Sequence, residues 1–194
     1  VQMTWRQSLQ EAGSMVKLGL AMMWSALLSS LVSYFTISMI SHRFGLDAVG
    51  IYSAAFSLSG MFVSFVLQAM GADYYPRLVG VTHDKVTMNR MVSEQTEIGL
   101  ILAVPGILFT LIFAPWIIHI FYTKEFLPAA DLLQWFILGC YVRIFQWPIG
   151  FLQLALGKAG IWFATQTLLS LIHVLLTWGL LNIIGFEGVA ISFC

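Results

Sequence analysis

Long apolar stretches with almost no charge divide this sequence, and they limit its fold more than any other feature. Four such stretches contain no Asp, Glu, Lys or Arg, and a fifth contains Arg143 as its single charged residue. A bilayer core of roughly 30 Å is crossed by about 20 helical residues, because each residue adds about 1.5 Å to a helix. The stretches reach about that length, so the sequence predicts a set of transmembrane helices.

The composition supports the same class of protein. Hydrophobic residues make up 59% of the 194 residues and charged residues 9%, whereas soluble domains carry roughly 25% charged residues. Mean hydropathy is +0.88, and a chain this apolar lacks the polar residues that a surface in water requires. The formal net charge is zero, so no basic field favours nucleic acid as a partner. Membrane lipids are the expected surroundings.

The predicted fold class is all-α: a polytopic transmembrane helix bundle with five full spans and the start of a sixth. All 194 residues are interpreted as one transmembrane domain fragment. The predicted spans cover residues 18–40, 48–70, 98–114, 132–156 and 161–184, and another begins at 188–194. The sequence starts at Val1 and stops at Cys194 within an apolar run. It is therefore expected to be a piece of a longer membrane protein.

The stretch GADYYPRL, Gly71–Leu78, marks the predicted end of the second span. Pro76 is expected to stop the helix, because proline lacks a backbone N–H and clashes with the preceding turn. Tyr74 and Tyr75 are expected to lie at the membrane–water interface, where amphipathic aromatic rings concentrate. Arg77 would anchor this end of the helix on the cytoplasmic side.

The segment that follows predicts an amphipathic cytoplasmic helix that leads into the third span. Thr82 or Asp84 is its expected cap, since both side chains can accept hydrogen bonds from the first backbone N–H groups of a helix. Pro115 is expected to end the third span. The run APWIIHIFY that contains this proline carries Trp, His and Tyr, which predicts a short interfacial helix.

Lysine and arginine are unevenly distributed between the two sets of connections, and this predicts the orientation in the membrane. One side holds six of them and the other side holds two. The six are Arg6, Lys17, Arg77, Lys85, Arg90 and Lys158, and the two are Arg43 and Lys124. Positive residues concentrate on the cytoplasmic side. The amino terminus is therefore predicted to be cytoplasmic.

Polar residues inside the spans recur at helical spacing, so that each set lies on one face of its helix. Serine and glycine stripes in the first two spans are typical of close helix packing. The fourth and fifth spans instead carry long amides, a histidine and an arginine, which pack closely less well. These residues are the candidate substrate-binding residues of a cavity: Arg143, Gln146, Gln153, Gln166, Ser170 and His173.

Arg143 is the sharpest of these candidates. It lies about 11 residues, or roughly 17 Å, from the predicted periplasmic start of its helix, near the middle of the hydrocarbon. An arginine there costs about 2.5–3.5 kcal/mol on insertion scales, so it should face water or a counter-charge. Three alternatives stay open: it binds an anion that comes and goes, it pairs with an acid elsewhere in the protein, or the span has other limits and Arg143 lies nearer the membrane surface. His173 is either a hydrogen-bonded packing residue or a group that titrates near neutral pH.

No enzyme motif is present in the sequence. It has no glycine-rich phosphate loop with a lysine, no spaced metal ligands and no nucleophile motif, so neither a catalytic residue, a cofactor nor a metal is predicted. Cys140 and Cys194 lie in apolar runs and are interpreted as small buried residues rather than as disulfide halves or metal ligands.

Several segments together resemble one family. They are GLDAVGIYSAAFSLSG after the first span, YYPRL after the second, and FYTKEFLPAADLLQWFILGCYVRIFQWPIGFLQLALGKAGIWF around the fourth. In order and spacing these segments resemble the polysaccharide flippases of the multidrug/oligosaccharidyl-lipid/polysaccharide superfamily. The resemblance is nearest to the O-antigen and enterobacterial common antigen translocases, and it covers about Met15 to Phe193.

The resemblance implies that the chain corresponds to the second half of a 12-helix flippase. It implies a transporter that moves undecaprenyl-pyrophosphate-linked oligosaccharides across the bacterial cytoplasmic membrane for surface polysaccharide synthesis. The lipid-linked oligosaccharide would be the substrate, and a coupling ion of unknown identity is a possible further partner. An arginine fork would suit the phosphate oxygens, while serine and glutamine would suit the sugar hydroxyls.

Three alternatives remain open from the sequence. A multidrug or cation exporter of the same superfamily would favour acidic residues deep in the spans, and none is present there. A membrane enzyme that acts on lipid-linked sugars, such as a polymerase or ligase, would be expected to carry a large periplasmic loop. A structural scaffold would leave Arg143 unexplained.

Overall fold

The computed structural model describes the backbone of residues 5–194 and the side chains of these residues except 5–12, 14, 15, 18, 62, 65, 66 and 69. Within this part of the chain every regular element is helical, which confirms the all-α class. The elements are α1 (Trp5–Phe44), α2 (Leu46–Gly80), α3 (Lys85–Phe121), a 3-10 turn (Lys124–Phe126), α4 (Ala129–Ala155), α5 (Ala159–Ile183) and α6 (Glu187–Ile191).

Four long helices have the length and apolar composition to cross a membrane. They are the Gly19–Phe44 part of α1 and the whole of α3, α4 and α5, with 26, 37, 27 and 25 residues. These four confirm a membrane protein that crosses the bilayer several times. The remaining predicted span, 48–70, lies in α2 and includes residues 62, 65, 66 and 69, whose side chains lie outside the description. That span stays a prediction.

Both predicted helix ends at proline are wrong. α2 continues through Pro76 to Gly80, and α3 continues through Pro115 to Phe121. Residues beyond each proline are fully buried: Leu78 in α2 and Ile118 in α3 are 0% exposed. Packing therefore holds the helix in place on both sides of the proline and offsets the lost hydrogen bond. The segment after Pro115 is the last part of α3 and not a separate interfacial helix.

Of the two predicted caps of α3, Thr82 and Asp84, the structure has Asp84. The Asp84 carboxylate accepts hydrogen bonds from the backbone N–H groups of Val86 and Thr87, at 2.9 and 3.4 Å. It also accepts one from the Thr87 hydroxyl. These bonds, the Thr87 hydroxyl first, stabilise the charged carboxylate and lower the pKa of Asp84.

A single residue joins α1 to α2. Gly45 has φ 87°, a conformation that glycine adopts without strain and other residues rarely adopt. Its N–H donates to the Ser41 carbonyl at 3.1 Å, which closes the last turn of α1. Glycine is therefore required at this tight turn.

The contacts between helices define their directions. Trp24 near the middle of α1 donates to Thr167 of α5 at 3.0 Å, and Arg43 at the end of α1 donates to Asn182 at the end of α5. α1 and α5 are therefore parallel neighbours.

α2 and α4 are parallel as well. The Tyr52 and Phe136 rings, both early in their helices, have centroids 5.6 Å apart. Tyr74, late in α2, donates from its hydroxyl to the Pro148 carbonyl, late in α4, at 3.3 Å.

α3 runs in the opposite direction to α4. Gln134, early in α4, donates to the carbonyl of Leu111, late in α3, at 2.9 Å. Gly99, early in α3, lies against Ile144 in the middle of α4.

α5 also runs opposite to α4, because Gly150, late in α4, lies against Trp162, early in α5, while Leu181, late in α5, shares a core with Phe136, early in α4. Odd-numbered and even-numbered long helices thus alternate in direction, as they would if each crossed the membrane in turn.

Two apolar cores lie at opposite ends of the helices. The large core, at the Gly45 end, draws buried residues from all six α-helices, among them Ile40, Tyr52, Ile118, Phe136, Leu181 and Val189. The small core, at the Pro76 end, is formed by α2, α3 and α4, with Tyr74, Leu78 and Met88 buried. A middle cluster of α3 and α4 residues lies between them, built on Ile107, Ile137, Cys140 and Ile144. α2, α3 and α4 are therefore packed along much of their length, whereas α1 and α5 join them chiefly at one end.

The prediction of an interfacial Tyr74 is wrong. Its side chain is 2% exposed, and its ring stacks on Trp147 with centroids 5.7 Å apart. A Cβ placed on Gly71, one turn earlier, would lie 3.1 Å from the Trp147 ring. The small residue and the buried tyrosine together hold α2 against α4. The GADYYPRL stretch is thus a helix–helix contact within a continuous helix.

Candidate functional site

The polar face of α4 lies in the middle of the helix. Arg143 is close to the midpoint of Ala129–Ala155, and it is exposed, as is Gln146. Gln153, two turns further on, is half-buried. Ile144, next to Arg143, is 3% exposed and packs in the middle cluster against α3. The arginine side chain therefore points away from the side of α4 that α3 covers.

The polar residues of α5 are somewhat more covered than those of α4. Gln166, Ser170 and His173 are each half-buried. All residues of α5 are described, and its buried ones are Thr177 and Leu181, near its end. α5 packs mainly against α1, and its contact with α4 is slight.

Phe193, which follows α6, brings the two polar faces together. The guanidinium carbon of Arg143 lies over the Phe193 ring, 5.5 Å from its centroid. The His173 ring meets the same phenyl ring at 82°, with centroids 6.3 Å apart. Arg143 and His173 are thus neighbours of one aromatic ring, although they come from different helices.

The position of Phe193 follows from the absence of a side chain on α4. A Cβ placed on Gly139 would lie 2.7 Å from Phe193 Cδ1 and 3.0 Å from its carbonyl oxygen. Gly139 lies one helical turn before Arg143, on a nearby part of the helix surface. Only glycine leaves room for the phenylalanine at this point.

α5 holds the same segment from the other side. The Thr177 and Ser192 hydroxyls lie 2.8 Å apart in a buried hydrogen bond. The Ser192 hydroxyl also lies 2.7 Å from the Val189 carbonyl oxygen. Gly188 lies against the Leu180 backbone, where a Cβ would come within 2.5 Å of the carbonyl oxygen. α6 is therefore held between α4 and α5 by close contacts on both sides.

The other candidate residues are not joined to Arg143. Among the described residues, no hydrogen bond links Gln146, Gln153, Gln166 or Ser170 to its guanidinium. α4 and α5 do approach each other closely further along, where a Cβ on Gly150 would lie 3.1 Å from Trp162. The four residues lie on the exposed or half-buried faces of their helices, and their shared role stays a prediction.

The charge of Arg143 has no acidic partner in the described part of the chain. The ion pairs found there are Arg77–Asp73 at 2.9 Å and Arg90–Glu94 at 2.7 Å, both on exposed helix surfaces. Phe193 offers Arg143 the negative face of an aromatic ring, which attracts a cation without neutralising it. The guanidinium therefore keeps its capacity to bind an anion.

Phe193 was not among the predicted site residues. Helical spacing identifies polar faces on single helices, whereas Phe193 is an apolar residue in the last few positions of the sequence. The one sequence feature that relates to this contact is Gly139, a small residue on α4 that leaves room for a neighbouring side chain.

A separate cavity of about 500 Å³ lies between α2, α3 and α4. The described residues that line it are apolar apart from Ser64 and Gln68. The candidate residues do not line it. It is therefore distinct from the surroundings of Arg143.

Comparison with known proteins gave one match. A sequence model of the family described as "Polysaccharide biosynthesis protein" matches residues 1–131, from the start of the chain to the first residues of α4. No curated protein and no solved structure matches the chain. The candidate residues on α4 and α5 lie after the matched segment.

Proposed function

The chain belongs to the polysaccharide biosynthesis protein family, and from this premise we propose that it is a flippase for lipid-linked sugars. Its substrate would be an undecaprenyl-pyrophosphate-linked O-antigen unit or a similar oligosaccharide, carried across the bacterial cytoplasmic membrane. A sugar–pyrophosphate head is large and charged, so its passage through bare hydrocarbon would be prohibitive. A multi-pass helical protein with polar faces in its membrane helices can provide a polar path across the membrane for this head group.

The observation that carries this proposal is the exposed Arg143 in the middle of α4. An arginine at that depth in the bilayer costs about 2.5–3.5 kcal/mol on insertion scales. No carboxylate among the described residues compensates it. A guanidinium can form two parallel hydrogen bonds with phosphate oxygens, so a pyrophosphate is a suitable anion for this position.

The polar residues on either side of Arg143 suit the sugar part of the substrate. Gln146 and Gln153 on α4, and Gln166 and Ser170 on α5, offer both donors and acceptors to sugar hydroxyls. These residues are exposed or half-buried, so they are open to a ligand. They would face a shared aqueous space with Arg143 and His173.

The arrangement supports transport rather than catalysis. The candidate residues would bind and orient the head group, and none of them forms a nucleophile–base pair with another candidate residue in the described part of the chain. Movement of the head group would require α1 and α5 to shift against the more tightly packed α2, α3 and α4, as in alternating access.

The proposed orientation places the chain in the inner membrane with its amino terminus in the cytoplasm. It rests on the six positive residues on one side against two on the other. Single cysteines at Leu46 and Lys124 should react with a membrane-impermeant thiol reagent added outside cells, and cysteines at Lys85 and Lys158 should not. Leu46 is 78% exposed and avoids the strain of replacing Gly45. Both native cysteines are first replaced by alanine. Labelling of the cysteine at position 85 in intact cells would contradict the proposed orientation and support the opposite one.

The main test replaces Arg143 in the full-length protein, expressed in a strain that lacks its own flippase. Arg143→Ala should reduce surface polysaccharide by tenfold or more, because the site for the pyrophosphate is lost. Arg143→Lys keeps the charge but not the two-pronged geometry, so it should leave partial transport. Surface polysaccharide and the amount of protein in the membrane are measured together.

Arg77→Ala is the matched control, because Arg77 is exposed and pairs with Asp73 one turn away. It should change surface polysaccharide less than twofold. Normal polysaccharide with Arg143→Ala would exclude the anion-binding role. Loss of both polysaccharide and protein would indicate a fixed structural pair instead, since removal of one partner leaves a buried charge uncompensated.

A further inference from the structure

The ring of Phe193 is tightly fixed by its neighbours, and it lies beneath the exposed cation of Arg143. Arg143 lies over the ring at 5.5 Å. Phe56 and Phe136 meet the same ring at 84° and 87°, with centroids 5.8 and 5.4 Å away. The nearly perpendicular neighbours and the seat on Gly139 leave the ring little freedom to turn. The face beneath the guanidinium is therefore presented in one orientation.

A fixed ring under a flexible arginine has a consequence for anion binding. A free arginine side chain populates many rotamers and loses that freedom when it binds a ligand. Attraction between the guanidinium and the ring face holds the side chain near one position before the ligand arrives. The ordering cost on binding is then smaller, which is the general effect of preorganisation.

We propose that Phe193 is a positioning residue: its ring face holds the Arg143 guanidinium in the orientation in which it binds the pyrophosphate of the lipid-linked sugar. The inference rests on the proposed function of Arg143 and adds to it a residue that follows α6. Phe193 does not touch the substrate in this scheme. It acts through the arginine. Because Phe193 follows α6, a movement of α6 would move the ring and so change the position of that arginine.

His173 is consistent with this role. It lies against the same ring, so a shift of Phe193 would alter the surroundings of both polar side chains at once. The seat of α6 on α5, through the Thr177–Ser192 hydrogen bond of 2.8 Å, connects the position of the ring to that of α5. One aromatic residue thus links the polar faces of two helices.

The first experiment changes the electronic character of the ring and leaves its shape nearly constant. Phenylalanines with one, two and three ring fluorines are introduced at position 193 of the full-length protein, and binding of farnesyl pyrophosphate to the purified protein in lipid nanodiscs is measured. Fluorine withdraws electron density from the ring face. Affinity should therefore fall stepwise with each fluorine, to roughly five- to tenfold below that of the unmodified protein.

Conventional variants give a second series. Phe193→Trp should retain or improve binding, since tryptophan attracts cations best, and Phe193→Leu should weaken it by roughly five- to tenfold. Phe186→Leu is the matched control: it precedes α6 and packs against Phe44, with centroids 5.5 Å apart, away from Arg143. It should leave the affinity unchanged. Farnesol, which lacks the pyrophosphate, should bind all variants equally.

The outcomes separate this inference from the proposed function. If Arg143→Ala weakens farnesyl pyrophosphate binding and the fluorinated series shows the stepwise loss, the positioning role is supported. If Arg143→Ala weakens binding but the fluorinated series is flat, the positioning role is wrong and the anion site stands. If Arg143→Ala leaves binding unchanged, Arg143 does not bind the pyrophosphate, and the positioning role of Phe193 is then wrong as well.

Discussion

The group of α2, α3 and α4 differs from the pair of α1 and α5 in how its helices are joined. The group is held by apolar and aromatic contacts from the large core through the middle cluster to the small core. The pair has few buried side chains where the middle of α1 meets the first half of α5, and there it is joined by the stacking of Trp24 on Phe163 and by hydrogen bonds from two tryptophans. Trp24 donates to Thr167 at 3.0 Å, and Trp162 donates to Ser25 at 2.7 Å.

The difference indicates which part of the molecule resists rearrangement. Packed apolar side chains lose many contacts when helices separate. Hydrogen bonds between membrane helices contribute on average only about 0.6 kcal/mol each, because the separated helices find other partners. α2, α3 and α4 should therefore behave as one body. α1 and α5 share the large core with this body but not the middle cluster or the small core, so they can change their position relative to it at lower cost. Arg143 lies on the body, and His173 lies on the pair.

The largest expected contrast comes from the same substitution in the two regions. Phe136 is 1% exposed within the large core, whereas Phe163 is 44% exposed on α5, stacked on Trp24. Phe136→Ala should lower the free energy of unfolding by about 3–5 kcal/mol, because it leaves a cavity in a packed region. Phe163→Ala should lower it by less than about 1 kcal/mol.

Thermal unfolding in detergent, followed by the amount of protein that stays unaggregated, compares the two variants directly. The amount of each variant in the membrane provides the matched measurement in cells. Equal destabilisation by both substitutions would contradict the distinction between a packed group and a loosely joined pair.

A smaller contrast involves two buried threonines with different partners. Thr177 is 0% exposed and bonds to Ser192, whereas Thr36 is 2% exposed and its hydroxyl has no hydrogen-bond partner among the described residues. Thr177→Val should cost about 0.6 kcal/mol, the average contribution of a hydrogen bond between membrane helices. Thr36→Val should be neutral or slightly stabilising, since it removes a buried polar group that lacks a partner.

The two valine variants have nearly the same shape as the residues they replace, so the shift in the unfolding midpoint reports the hydroxyl alone. A Thr177→Val variant that also carries Ser192→Ala should show less loss than the sum of the single variants, because both changes remove one shared bond. Equal losses for Thr36→Val and Thr177→Val would show that α6 is not held to α5 by this bond.

Much of the fold follows from the sequence because lipid imposes a simple rule. A chain in hydrocarbon satisfies its backbone groups most readily as helices, so long runs of apolar residues predict where helices lie. The sequence offers Thr82 or Asp84 as the cap of α3, and Asp84 is the one that caps it, since capping depends on the residue type and the next few backbone groups. Both features are local, and local signals are legible in a single sequence.

The incorrect predictions have a common cause. Pro76 and Pro115 were expected to end helices, yet residues beyond each proline are buried against other helices. Tyr74 was expected at the interface, yet it is buried against Trp147. Each case depends on what the neighbouring helix offers, and helical periodicity within one segment carries no information about its neighbour.

The candidate site shows the same division. The polar faces of α4 and α5 could be predicted because each repeats along its own helix. The contact that joins Arg143 to His173 could not, because it depends on Phe193 and on the space that Gly139 leaves for it. Whether the four remaining candidates share a cavity stays a prediction.

The one-residue link at Gly45 has a mechanical consequence. It joins helices of 40 and 35 residues, so a change in the angle between them must be made close to that point. A position 20 residues along either helix lies about 30 Å from the link, since each residue adds about 1.5 Å. A rotation of about 10° at the link would move that position by roughly 5 Å, close to the pitch of one helical turn. The turn is therefore the pivot between α1 and α2. A change in the angle between these helices displaces them most at their far end, where the small core lies.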